Sequence, residues 1–130
     1  MDGPTTAVAV IPAEGGKRKL FVSCDDGELS VTIDWGLYLS SEAPEVTVRI
    51  DSLPPSRAKW ARSEDKNASW LRPSGGKKAR QQEIAAFVRE LVAGQTLAAR
   101  VIPRGQTAVT AVFDLSGAKA ELRTVRMACW

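Results

Sequence analysis

This chain of 130 residues predicts a mainly antiparallel β domain, a sandwich or a partly closed barrel. Three observations carry that expectation. Apolar and polar residues alternate with a period of two over most of the chain, as half-buried strands require. Turn-forming clusters interrupt the alternation at Asp25-Asp26-Gly27, Pro54-Pro55 and Pro103-Arg104-Gly105. One stretch alone, at about 79–93, carries a clear helical period. The length suits a single domain, 1–130, large enough to bury a core without a metal.

The elements follow in order. Residues 1–18 read as an N-terminal arm or a first strand, with Ala7–Ile11 the strand candidate. Leu20, Val22 and Cys24 share one strand face, and Leu29, Val31 and Ile33 share another after a tight turn. Leu37 and Leu39 follow Gly36. Val46, Val48 and Ile50 alternate with Thr47, Arg49 and Asp51 until Pro54-Pro55, which cannot donate to a ladder. Residues 52–83 are the most loop-like, although Trp60 and Trp70 read best as strand residues packed on the sheet.

Ile84, Phe87, Val88 and Leu91 then form one apolar helical stripe, suited to cover an open face or end of the sheet. Gly94 stands where a helix ends. Leu97, Ala99 and Val101 form a further strand, and Val109, Ala111, Phe113 and Leu115 the last long one. A short C-terminal helix is expected after Ser116, a good N-cap residue, with Leu122, Val125 and Cys129 on one face.

Composition narrows the chemistry. Histidine is absent, which removes the commonest general base and metal ligand. Two cysteines cannot by themselves make a structural zinc site, so no metal and no cofactor is expected. The carboxylate pairs Asp25/Asp26 and Glu64/Asp65 are adjacent residues, which face apart in a strand and are solvated in a turn. The chain therefore reads as no enzyme. No apolar run approaches the length of a membrane span. Residues 1–20 lack the basic start and apolar block of a leader, which leaves a cytoplasmic protein or a mature domain whose leader was removed.

Charge is unevenly placed. Residues 57–80 hold eight basic residues, Arg57, Lys59, Arg62, Lys66, Arg72, Lys77, Lys78 and Arg80, against Glu64 and Asp65. With Trp60 and Trp70 among them, this segment is the candidate partner-binding region. A solvated basic loop and two packed tryptophans explain it equally simply. Exposed tryptophans among arginines would instead suit single-stranded nucleic acid or a protein interface.

Cys24 is in phase with Leu20 and Val22, and Cys129 with Leu122 and Val125, so both point toward a core. They form either a disulfide or two separate buried thiols. The position of Cys129 next to the chain end favours a staple, because terminal segments otherwise fray. A disulfide would imply an oxidising compartment.

Three stretches, 20–39, 46–71 and 97–130, bring a family into view. They contain a cysteine before a strand hairpin, an Arg49-x-Asp51 strand, and a block with Trp60, Ser63 and Asp65 followed by Lys66 and Ala68. A Val101-x-Pro103-x-Gly105 turn, Phe-Asp-Leu-Ser-Gly at 113–117 and Ala-Cys-Trp at 128–130 complete the order. Over residues 20–130 the chain resembles the VasI/EvfG family of type VI secretion-associated proteins and related small phage-borne proteins. More weakly, it resembles invasion-associated locus B proteins. The resemblance implies an extracytoplasmic all-β accessory domain with no catalytic residues to carry over.

The motif residues also have structural readings. Arg49 and Asp51 can pair with each other, or with Lys59 or Arg62, across strands. Ser63 and Asp65 suit a turn that bonds back to its own backbone. Asp114 can satisfy backbone donors near Ser116. The expected function is a non-enzymatic accessory or adaptor domain of the cell envelope, in the periplasm, binding a protein partner. The alternative is a phage-derived intracellular inhibitor or nucleic-acid-associated protein that uses the basic segment. The sequence leaves the oligomeric state open.

Overall fold

A computed structural model describes residues 6–39, 43–103 and 106–129, apart from the side chains of 58 and 59. Among these residues the fold is mainly antiparallel β with three helices. The strands are β1 (Thr6–Pro12), β2 (Lys19–Asp25), β3 (Glu28–Asp34), β4 (Glu45–Ile50), β5 (Ser56–Arg62), β6 (Ala68–Leu71), β7 (Thr96–Val101) and β8 (Val109–Asp114). The helices are α1 (Lys77–Ala93), α2 (Ala118–Glu121) and α3 (Arg123–Cys129).

The spatial order is β1-β2-β3-β6-β5-β4-β7-β8, antiparallel throughout. The ladder folds into two layers. β1, β2, β3 and β6 lie in one and β4, β7 and β8 in the other, and β5 pairs with β6 on one side and β4 on the other. Its two ends meet at one isolated bridge, Ala13↔Phe113, beside a Glu14 N–H to Val112 carbonyl bond of 2.9 Å. The arrangement is sandwich-like and not a closed barrel.

Local chemistry explains the strands. Asp26 (φ 51°) and Gly27 (φ 83°) both adopt positive φ between the paired residues Asp25 and Glu28. That is the two-residue turn whose twist matches antiparallel strands. Alternation then sorts the two faces: Leu20, Val22, Cys24, Leu29, Val31 and Ile33 are all buried. The β1 register confirms the strand reading of Ala7–Ile11, with Ala9 and Ile11 in the core.

Residues 52–83 differ from their loop-like reading. They hold β5, β6 and the start of α1. β5 carries one large apolar residue among charged ones and β6 has four residues, so neither leaves a visible alternation. Trp60 goes fully into the core. Leu37 and Leu39 lie in a loop, where Leu39 N–H bonds to Lys66 carbonyl and its side chain is buried. Trp35 is buried beside them and donates its indole N–H to Ser69 Oγ at 2.9 Å, which satisfies both polar groups.

Helix α1 begins two residues before the sequence expectation, because Lys77 and Lys78 add no apolar period. It buries Ile84, Val88 and Leu91, while Phe87 is half-buried. Gly94 ends it as expected, but for a packing reason. Its φ is −89°, and a Cβ there would lie 2.6 Å from Ile50 Cγ2. The C-terminal segment forms two short helices in place of one. Ser116 is not the N-cap; Gly117 is, and it has no side chain to cap with, while Ser116 N–H bonds to Asp114 at 2.9 Å. Leu122 and Val125 are fully buried, and α3 packs on β1 and β2. There Cys129 forms a disulfide with Cys24, with Cα atoms 5.8 Å apart and a sequence separation of 105.

No helix among the described residues is long and apolar enough to cross a membrane.

Candidate partner-binding surface

The outward faces of the two layers differ, and strand register shows how. In the first layer Val10 is opposite Phe21, Phe21 opposite Thr32, and Thr32 opposite Trp70. One row therefore crosses four strands. Val8, Ser23 and Ser30 form the next row, and the two hydroxyls bond to each other. Val8 is 56% exposed, Val10 40% and Trp70 37%, although each sits in a regular strand. Phe21 and Trp70 lie two strands apart, about 10 Å. The Arg72 guanidinium lies 5.5 Å from the Trp70 ring centroid, a cation–π contact at the end of the row.

The second layer turns polar residues outward. Arg57 and Arg100 flank Thr47 across β5, β4 and β7, and Thr110 of β8 follows. Arg49 stands one row away, opposite Ala98. Arg100 was no candidate from sequence. It is an ordinary polar position in an alternating strand, and its neighbours are set by cross-strand pairing. Arg57 reaches Glu45 at 3.8 Å, both exposed.

The basic segment is dispersed. Trp60 is 1% exposed, so it leaves the surface set and joins the core. Arg62 donates to the Leu39 carbonyl at 2.9 Å and Arg80 to the Gly75 carbonyl at 3.1 Å. Lys77 bonds Glu28 at 2.6 Å, linking the β2–β3 turn to the start of α1. That contact lowers the Glu28 carboxyl below its ordinary range and raises the Lys77 ammonium above its own. Lys66 and Lys78 are exposed, on a turn and on α1 respectively. The Lys59 side chain lies outside the described residues, as do Arg104, Gly105 and Trp130. The fold thus spreads these cations over β5, a turn and a helix, because β5 and β6 part them.

The motif residues hold turns together. Asp51 does not pair with Arg49. It lies beyond β4 at φ 53°, and its Oδ1 accepts Gln95 N–H and Thr96 N–H, both at 2.9 Å. The positive φ turns its side chain off the strand face and toward the start of β7. Ser63 Oγ bonds Asp65 and accepts Ala68 N–H at 3.1 Å, and Asn67 N–H donates to Asp65 at 3.3 Å. This is the self-bonded turn expected from sequence. The Ser63 hydroxyl, then the Asn67 N–H, hold the Asp65 carboxyl below its usual range. Ser116 does the same for Asp114.

A link that sequence reasoning missed is Gln81. Its amide accepts Leu29 N–H at 2.8 Å and donates to Leu29 carbonyl at 3.0 Å. β6 pairs with β3 only over Thr32–Asp34, so Gln81 takes the place of a neighbouring strand beside Leu29. It stands three residues before Ile84 and seven before Val88, on the face of the apolar stripe, but as a polar residue it added nothing to the apolar period.

Comparison with protein-family models, characterised proteins and solved structures finds no match to this chain.

Proposed function

We propose that this chain is a non-enzymatic accessory domain of the cell envelope that binds a protein partner through the outer face of β1, β2, β3 and β6. The observation that carries the reading is the outward row Val10-Phe21-Thr32-Trp70, exposed at Val10 and Trp70 and half-buried between them, with exposed Val8 beside it. Valines on an otherwise regular strand face gain little in the monomer from facing water. They gain on association, where aromatic residues and arginine add most. Support for an oxidising compartment comes from the Cys24–Cys129 disulfide. The ordered resemblance over residues 20–130 to type VI secretion-associated proteins points the same way.

A photo-cross-linker at Val10 or Trp70, compared with one at Thr110, tests the surface. The expected result is one discrete protein adduct from the first two positions and none from the third. Equal labelling from Thr110, or no adduct from Val10 and Trp70, overturns the assignment. Free thiols at Cys24 and Cys129 in protein from its native cell would count against the compartment.

A second reading, an intracellular nucleic-acid-associated protein or inhibitor, draws on Arg57 and Arg100 in one row with Arg49 a row away. It predicts binding to single-stranded nucleic acid that weakens steeply with salt. A low-salt gel shift that shows nothing ends its nucleic-acid form.

A further inference from the structure

A groove of about 440 Å³ runs between α1 and the strands β4, β5 and β6, away from the row of exposed valines. Its volume falls within the range of small-ligand and side-chain pockets. Ile50 and Leu53 form one wall, Trp60 and Leu71 contribute to its base, and Phe87 faces it from the helix. Leu53 is 52% exposed and Phe87 half-buried, so the monomer leaves this apolar surface partly wet.

One further observation defines what fits there. Glu83 and Glu90 are the only charged residues in the lining, among those described. Neither makes a salt bridge among the described residues. Seven residues apart on one helix, they stand about 10.5 Å apart along its axis, with Phe87 between them.

We infer that this groove is a second binding site, for an extended basic peptide segment that carries an apolar side chain. The apolar side chain fills the space between Leu53 and Phe87. Lysine or arginine side chains pair with Glu83 and Glu90. Nucleic acid is disfavoured by the two carboxylates. The site is independent of the proposed outer-face contact, so either can fail alone.

The test uses the full chain and a fluorescein-labelled peptide of alternating lysine and leucine. Companion peptides alternate glutamate with leucine and lysine with serine. The lysine–leucine peptide should bind, and the two companions should bind far more weakly. Glu83→Gln with Glu90→Gln should weaken binding about five- to tenfold, the scale two exposed charge pairs allow. Glu14→Gln with Glu121→Gln changes the net charge equally and should leave binding unaltered. In a ¹⁵N NMR titration the Trp60 indole resonance should move most. Equal affinity for the lysine–serine peptide, equal loss in both double variants, or a largest shift at the Trp70 indole would overturn the inference.

Discussion

The β1-β2-β3 half and the β4-β7-β8 half of the ladder obey the same alternation but are secured differently. In the first half, long-range side-chain and covalent links tie strands to helices. Cys24 joins β2 to α3, Gln81 fastens α1 to β3, and Lys77 reaches Glu28. In the second half, carboxylates tie down loop backbone, with Asp51 on Gln95 and Thr96 and Asp114 on Ser116. The outward faces differ as well, valine and aromatic on one and arginine and threonine on the other. Alternation decides which positions face out and says nothing of how each edge is finished. The half with helical links is also the one that leaves Val8, Val10 and Trp70 exposed on regular strands.

The largest effect should come from breaking the first half's covalent link. Cys24→Ser with Cys129→Ser should cost about 4–5 kcal/mol on the chain-entropy model for a loop of this length. Chemical denaturation with and without reductant measures it; a midpoint unmoved by reductant would show that the link contributes nothing. Next comes Gln81→Ala, which leaves Leu29 N–H and carbonyl without their partner and should cost about 1–3 kcal/mol. Hydrogen exchange should accelerate at Leu29 first, and unchanged protection there would refute the strand-replacement role.

In the second half, Asp51→Ala should cost about 1 kcal/mol, through two lost backbone bonds and a poorer fit to positive φ. Asp51→Asn keeps an acceptor and tolerates that φ, so its midpoint should stay nearer the original. An equal loss in both variants would show that the acceptor is not what matters.

The smallest effect is on acid stability. The Asp65 and Asp114 carboxyls are held below their ordinary range, chiefly by Ser63 and by the Ser116 backbone N–H respectively. Groups with lowered folded-state pKa stabilise the fold fully above the ordinary aspartate value. That contribution is lost as pH falls through the lowered value. Asp65→Asn with Asp114→Asn should therefore flatten the stability-versus-pH curve on its acid side and leave it parallel near neutrality. Matching acid limbs would sink the assignment.

Much of the fold was legible because burial on one sheet face imposes alternation on the residues themselves. The strands around Cys24, Leu29, Val48, Ala99 and Ala111, and the α1 stripe, could be read directly. The turns at Asp26-Gly27 and Ser63–Asn67 were legible because their side chains and φ preferences act locally. β5 and β6 were obscured because short strands with single large residues leave no period. The candidate basic segment was visible as composition, but its dispersal was not, since strand pairing separates neighbours in sequence.

The sequence by itself determined the β class, the helix, the tight hairpin and the inward phase of both cysteines, because each depends on neighbours within a few residues. Only the tertiary structure decided that Cys24 meets Cys129, that Trp60 is core while Trp70 is surface, and that Val10, Phe21, Thr32 and Trp70 share one row. Those outcomes depend on strand order and register, which are set by how the whole ladder closes over its core rather than by any local stretch.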